Sequence, residues 1–133
     1  MEQYVRQVKH NENFHDSVCK EFSDLYFDWK IICLFYSAYH LIQAFAAYRG
    51  VFIGDRHHQI LWNLNPKNPN RPTPFKAKAF EAYDQLFEYS RTARYSGFTN
   101  FEDFQIMKKI DYEDAKLLYD YLKAYITHEG VIL

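Results

Sequence analysis

The sequence predicts an all-α protein, a single domain spanning residues 1–133 and folded as an up-down bundle of four main helices plus a short one. Three observations support this class. Apolar residues recur at three- and four-residue steps in long segments, all four prolines fall within residues 65–74, and 20% of the 133 residues are aromatic. Such spacing is typical of amphipathic helices, and the aromatic side chains supply a large core for a chain of one-domain length.

The first two helices are predicted on either side of a short turn. Apolar residues form one stripe over residues 4–25, with a weak point near Asn11–Asn13. Asp28 is a good N-cap for a second helix that begins at Trp29, and Gly50 is a good stop signal. The second helix is apolar on nearly every face, which is typical of a helix that other helices surround.

The second helix also reaches the length threshold for a membrane span, because residues 31–48 carry no formal charge. It contains the polar side chains Ser37, His40 and Gln43, however, and no second such segment exists. We therefore expect a buried central helix and no membrane partner. The start of the chain is polar without a signal-peptide core, and the two cysteines form no CxxC motif, so we expect a cytoplasmic protein.

A short helix is predicted at residues 56–64 and a stiff, proline-rich loop at 65–74. Thr73 is the expected cap of a third long helix, with Pro74 at its first position and an end near Tyr95.

Residues 98–110 lack a clean helical period, so we expect an irregular loop or a small hairpin there. Asp111 is the expected cap of the last helix. The apolar stripe of that helix repeats properly, and Gly130 terminates it.

The net charge of −1 argues against a protein that coats nucleic acid along its whole surface. Basic residues outnumber acidic ones only within residues 49–94, and this region is either a solvated surface or an anion-binding patch. Phosphate-binding glycine loops and the HExxH and GxSxG motifs are missing from the sequence. His57 and His58 are adjacent and point about 100° apart on a helix, so we expect no metal site and no cofactor.

His40 is one candidate functional residue, because it lies on the same helical stripe as Trp29, Cys33 and Tyr36. A titratable ring inside an apolar helix must find a hydrogen-bond partner. His40 is therefore either a satisfied core histidine or a residue that lines a pocket.

Arg91 and Arg94 are further candidates on one face of the third long helix, with Tyr95 one turn beyond Arg91. Two guanidiniums near aromatic rings suit a phosphate or a nucleotide, because arginine pairs with oxyanions and stacks on rings. Alternatively, both cations complement the helix dipole and pair internally with Asp24 or Asp28.

Four features, in this order, carry a family resemblance over roughly residues 10–126. They are the pair Asp28-Trp29, the helix segment Phe35–His40, His58 in the next segment (preceded by His57 rather than Ser), and Ser90–Tyr95 with its two arginines. Together they resemble a bacterial branch of the HEPN domains (higher eukaryotes and prokaryotes nucleotide-binding).

The resemblance implies a small helical bundle, often a homodimer, that binds a nucleotide or RNA. It also implies a nucleotidyltransferase partner within a bacterial toxin–antitoxin or defence system. Active ribonucleases of the family carry an R-x(4–6)-H motif, from which this sequence departs, since Ser96, Gly97 and Phe98 stand where the histidine is expected after Arg91. The aromatic content and the all-round apolar helix exceed what a monomer needs, which also favours a homodimer.

Three functions follow. The first is a nucleotide- or RNA-binding module with weak or no catalysis, which uses His40, His58, Arg91, Arg94 and Tyr95. The second is a divergent, metal-independent endoribonuclease, in which Arg91 holds phosphate and His40 or His58 is the base. The third is a structural partner of a nucleotidyltransferase, whose arginines are paired internally.

Overall fold

The computed structural model describes residues 1–95 and 100–133, and its regular structure is entirely helical there. The five helices are α1 (Glu2–Glu21), α2 (Phe27–Arg49), α3 (His57–Leu64), α4 (Ala77–Tyr95) and α5 (Phe101–His128). The predicted all-α bundle of four long helices and a short one is confirmed.

α2 is the centre of the bundle and packs against α1, α4 and α5. Its most deeply buried apolar residues, each at most 2% exposed, are Ile31, Leu34, Ala38, Leu41, Ile42, Ala44, Phe45 and Ala46. Each large side chain of this kind stabilises the fold by about 1.5–3 kcal/mol when fully buried. In the described part of the chain, α2 alone has the length and composition of a membrane-spanning helix, and 61% of its most apolar window is buried inside the bundle.

α4 and α5 run antiparallel. The Tyr89 hydroxyl donates to Asp114 Oδ2 at 2.6 Å, and the Lys108 ammonium donates to Thr92 Oγ1 at 3.2 Å. The later residue of α4, Thr92, thus contacts the earlier residue of α5, Lys108, as expected for antiparallel helices. α1 and α2 are joined by a short turn and pack closely along their lengths.

The start of α2 differs from the prediction, because Asp28 lies in the first turn of the helix rather than at its cap. The N-cap position is Tyr26, which has a left-handed backbone with φ of 61°. The Lys30 ammonium, only 1% exposed as a residue, donates to the Phe22 carbonyl at 2.6 Å and lies 4.4 Å from the Phe27 ring centroid. This contact ties the end of α1 to α2 and fixes where the turn closes. Gly50, with φ of 69°, ends α2 as predicted.

Two further predictions, the weak point in α1 and the cap of α4, are also wrong. α1 is unbroken, and the Gln7 amide donates to Asn11 Oδ1 at 3.0 Å across the predicted weak point. Thr73 is not the cap of α4, which begins at Ala77. Phe75 is buried in the core and the Lys76 backbone N–H donates to the Tyr125 hydroxyl at 3.1 Å, so the chain docks against α5 before it becomes helical.

The predicted loop or hairpin at 98–110 is wrong for its described part, since α5 is helical from Phe101; residues 98–99 lie outside the described residues. Asn100 caps α5 by accepting the Asp103 backbone N–H at 2.9 Å. Asp111, the predicted cap, lies inside the helix and accepts from the buried Lys108 at 3.1 Å. The helical period is unclear because several apolar residues of this segment are exposed, namely Phe101, Ile106, Met107 and Ile110.

Candidate functional site

Arg94 connects the last turn of α4 to the middle of α2. Its Nη1 donates to the Tyr36 hydroxyl at 2.9 Å, and its guanidinium carbon lies 5.8 Å from the centroid of the same ring. Tyr36 is 41% exposed, so this arginine–aromatic pair lies at the surface. A guanidinium beside an exposed ring is an arrangement that recognises both phosphate oxygens and planar bases.

Arg91 lies one turn before Arg94 and is paired within its own helix. Its Nε and Nη2 donate to Glu88 Oε2 at 3.2 and 2.9 Å, and both side chains are about half exposed. The alternative pairing with Asp24 or Asp28 is wrong for Arg91, since Asp24 accepts from Lys109 at 3.0 Å instead. An exposed helix pair of this kind contributes well under 1 kcal/mol, so an incoming anion can replace Glu88 at little cost.

His57 lies near Arg94 and Glu88 in an aromatic cluster that joins α2, α3 and α4. Its ring centroid is 3.4 Å from that of Phe87 and 5.8 Å from those of Phe35 and Tyr83. Both ring nitrogens are buried, and neither hydrogen-bonds to a residue that the structure describes. Burial lowers the pKa of His57 to about 4, an effect that Glu88 opposes and that His58 and Arg94 reinforce. The ring is therefore neutral at pH 7.

His57 was not among the predicted site residues, although the sequence contains a signal for its burial. His57, Ile60 and Leu64 are spaced three and four residues apart, which is one face of a helix. Ile60 and Leu64 are fully buried, and His57 lies on the same inward face. His58, the predicted site residue, is exposed, as expected for the residue about 100° further around α3.

His40 lies one turn after Tyr36 on α2 and is half-buried. Its Nδ1 is buried and has no hydrogen-bond partner among the described residues. Burial lowers the pKa of His40, and its ring packs edge-on against Tyr39 at 5.1 Å. Tyr39 in turn donates to the Asp55 carbonyl at 2.8 Å, which holds the loop before α3 against this part of α2.

Among the predicted site residues, Arg91 and Arg94 thus lie in one surface patch with Tyr36, while His40 lies a turn further along α2 and His58 faces solvent. The backbone of Tyr95 ends α4, and its side chain lies outside the described residues. Within residues 1–95 and 100–133, no three His, Cys, Asp or Glu side chains converge as metal ligands. The described chemistry of the patch is that of cations, aromatic rings and neutral imidazoles.

Comparison with known proteins leaves the family open. The chain matches no family model, and neither the curated proteins nor the solved structures give a similar chain. The HEPN resemblance therefore stays a prediction that rests on the motif residues alone.

Proposed function

We propose that this chain is a HEPN-like module that binds a nucleotide or an RNA phosphate, with weak or no catalysis. The observation that supports this most is the surface patch at the end of α4, where Arg91 and Arg94 lie one turn apart and Arg94 contacts the exposed ring of Tyr36. We also propose, from the resemblance, that the chain works as a cytoplasmic homodimer beside a nucleotidyltransferase partner.

The patch has the three properties that such a ligand needs. Within the described part of the chain, Arg91 is paired only with the half-exposed Glu88, so its guanidinium donors are available to a phosphate that displaces the carboxylate. Arg94 keeps its charge at the surface next to Tyr36, and base–aromatic stacking contributes about 1–3 kcal/mol per base. The patch also belongs to the one region in which basic residues are in excess.

The exposure of Arg91 supports binding over a purely structural role. A structural role would be supported by a guanidinium buried against a carboxylate, where loss of one partner costs about 3–5 kcal/mol. The Arg91 side chain is instead 52% exposed and its partner Glu88 is 44% exposed.

Metal-independent RNA cleavage is the second candidate, and His40 is the observation that favours it. Its buried Nδ1 has no partner in the described residues, and burial lowers the pKa of the ring. A neutral imidazole can accept the proton of a ribose 2′-hydroxyl as a general base.

The decisive experiment replaces both arginines, Arg91→Ala with Arg94→Ala, and measures binding and unfolding on the same preparation. Fluorescence anisotropy with a labelled single-stranded RNA and competition with ATP would report binding. Loss of the two contacts should weaken binding roughly ten- to a hundredfold, which corresponds to about 1–3 kcal/mol, while the fold survives. A control with Arg6→Ala and Lys9→Ala makes the same charge change on exposed positions of α1 and should leave binding nearly unchanged.

The opposite pattern would contradict the proposal. If the wild type binds neither RNA nor ATP and the double variant unfolds, Arg91 and Arg94 have a structural role only.

For the cleavage candidate, incubation of the wild type with RNA in the presence of EDTA should yield cut products that His40→Ala abolishes. Intact RNA at high protein concentration would exclude that candidate.

A further inference from the structure

A second cluster of reactive groups lies on the α1–α5 side of the bundle. The Cys19 sulfur lies 3.4 Å from the Tyr112 hydroxyl and 3.6 Å from His15 Nε2. The same Nε2 lies 2.8 Å from the Tyr112 hydroxyl, and the other ring nitrogen, Nδ1, lies 3.1 Å from Asp16 Oδ1. The Asp16 carboxylate therefore contacts the His15 imidazole, and the imidazole contacts the Cys19 thiol. The Tyr112 phenol contacts both the imidazole and the thiol.

This order of groups is the one that activates a nucleophile. Asp16 accepts the Nδ1 proton of His15, which fixes the tautomer whose Nε2 is a proton acceptor. Nε2 faces the Cys19 thiol, and an adjacent general base is the usual means of converting a thiol into the nucleophilic thiolate. Burial, and after it the hydrogen bond with Cys19, raises the pKa of Tyr112, so the phenol keeps its proton. At rest the phenol donates to His15 Nε2, 2.8 Å away, and once Nε2 has taken up the thiol proton the phenol can donate to the thiolate, 3.4 Å away.

The burial of each group fits these roles. The His15 side chain is 5% exposed, whereas the Asp16 carboxylate is 76% exposed and in contact with solvent. His15 and Asp16 also line a pocket of about 160 Å³ between α1, α2 and α5, which gives the imidazole a route for proton exchange with water. Cys19 is a free thiol and only partly buried, so a small molecule can reach it.

We propose that Cys19 is a reactive thiol, a modification site at which small uncharged electrophiles are attacked with His15 as the base. With iodoacetamide as the probe, the Cys19 sulfur forms a bond to the methylene carbon while the carbon–iodine bond breaks and iodide leaves. The thiol proton passes to His15 Nε2 and then to water. The site is separate from the arginine patch and does not depend on the proposed function.

The chain contains its own reference thiol. Cys33 on α2 is also free and partly buried, and burial, with a smaller contribution from Cys19, raises the pKa of its thiol. Trypsin separates the two cysteines into peptides 10–20 and 31–49, so one mass-spectrometric time course gives both alkylation rates.

Among the described residues, His15 and Tyr112 contact the Cys19 sulfur, and Cys33 on α2 interacts with it electrostatically. The charged groups behind these partners are Asp16, which contacts His15, Asp120, which acts on Tyr112, and Lys30, whose ammonium lies 5.9 Å from the Tyr112 ring centroid. At pH 7, Cys19 should be alkylated at least about tenfold faster than Cys33, because His15 lies beside Cys19 as a base, whereas burial raises the pKa of the Cys33 thiol.

His15→Gln and Asp16→Asn are the test variants. His15→Gln should slow alkylation of Cys19 by roughly tenfold, while the rate of Cys33 is unaffected. His10→Gln, an exposed histidine on the same helix, is the matched control and should change neither rate. An unchanged Cys19 rate in a folded His15→Gln protein, or wild-type Cys33 reacting as fast as Cys19, would overturn the proposal.

Asp16→Asn keeps the test decisive if His15→Gln unfolds the chain. An unfolded variant would expose both thiols and raise both rates together, with a loss of helical circular dichroism. Asp16→Asn changes only an exposed side chain and preserves the buried ring. Slower alkylation of Cys19 with an unchanged Cys33 rate would then support the proposal, and an unchanged Cys19 rate would refute it.

Discussion

Replacing His57 with phenylalanine should remove much of the acid sensitivity of the fold. The ring is stacked on Phe87, and its burial lowers the pKa of His57 from 6.5 to about 4. The unfolded chain holds this histidine at its ordinary pKa, so it takes up a proton first as the pH falls. The stabilisation from His57 is therefore complete above pH 6.5 and is lost progressively as the pH falls towards the folded pKa.

The size of the effect follows from the two pKa values. One unit of pKa difference corresponds to 1.36 kcal/mol, so lowering the pH from about 7.5 to about 4.5 costs at most roughly 2.5 kcal/mol. Solvent reaches part of this ring, and we therefore expect about 2 kcal/mol. Phenylalanine at this position keeps an aromatic ring against Phe87 and has no proton to gain.

The measurement is urea unfolding followed by circular dichroism, for the wild type and His57→Phe at both pH values. The wild type should lose about 2 kcal/mol more than the variant between the two conditions. Acid effects of groups that do not interact with His57 are common to both proteins and cancel in the difference; Glu88 and His58 do interact with this ring. His58→Phe, at the exposed neighbouring position, should follow the wild type to within about 0.5 kcal/mol.

The prediction fails if the wild type and His57→Phe lose the same free energy of unfolding between the two pH values. Equal losses would mean that the folded chain protonates His57 as readily as the unfolded chain does. The buried, neutral ring in the aromatic cluster would then be a wrong description of the protein in solution.

Three further predictions concern assembly, metal and a buried hydrogen bond. Light scattering at micromolar concentration should give about twice the 16.1 kDa mass of one chain, and a purely monomeric species would exclude the dimer. EDTA should leave Tm unchanged, whereas a drop of several degrees would reveal a bound metal that stabilises the fold. Tyr119→Phe removes the 2.6 Å hydrogen bond to Glu12, which Lys123 also contacts at 2.7 Å, and should cost about 1–2 kcal/mol in urea unfolding. A loss below about 0.5 kcal/mol would show that this bond adds little.

The sequence pattern predicted the features of the fold that depend on neighbouring residues of one helix. The apolar surface of α2 requires burial, and Gly50 adopts the left-handed conformation that ends a helix. The turn before α2 depends on Lys30 reaching the Phe22 carbonyl, and the start of α4 depends on Phe75 entering the core first. Such contacts between different elements leave no periodic signal in the sequence.

The candidate site divides in the same way. Arg91 and Glu88 are three residues apart on one helix, so their pairing is visible in the sequence as a standard helix pair. Arg94 and Tyr36 are separated by 58 positions, and only the packing of α4 on α2 brings them together. The start of α5 was missed because its exposed apolar residues, such as Ile106 and Ile110, hide the helical period.

The central position of α2 has a consequence for how the molecule opens. α1 and α2 form one helical hairpin and α4 and α5 form another, yet α2 buries its side chains against both. Neither hairpin therefore contains a complete hydrophobic core of its own. Separating α2 from one hairpin also exposes side chains that pack against the other. Opening should be cooperative, with the slowest amide hydrogen exchange along the middle of α2 at the free energy of global unfolding. Exchange at the exposed ends of α1 and in the proline-rich loop would reflect only local fraying.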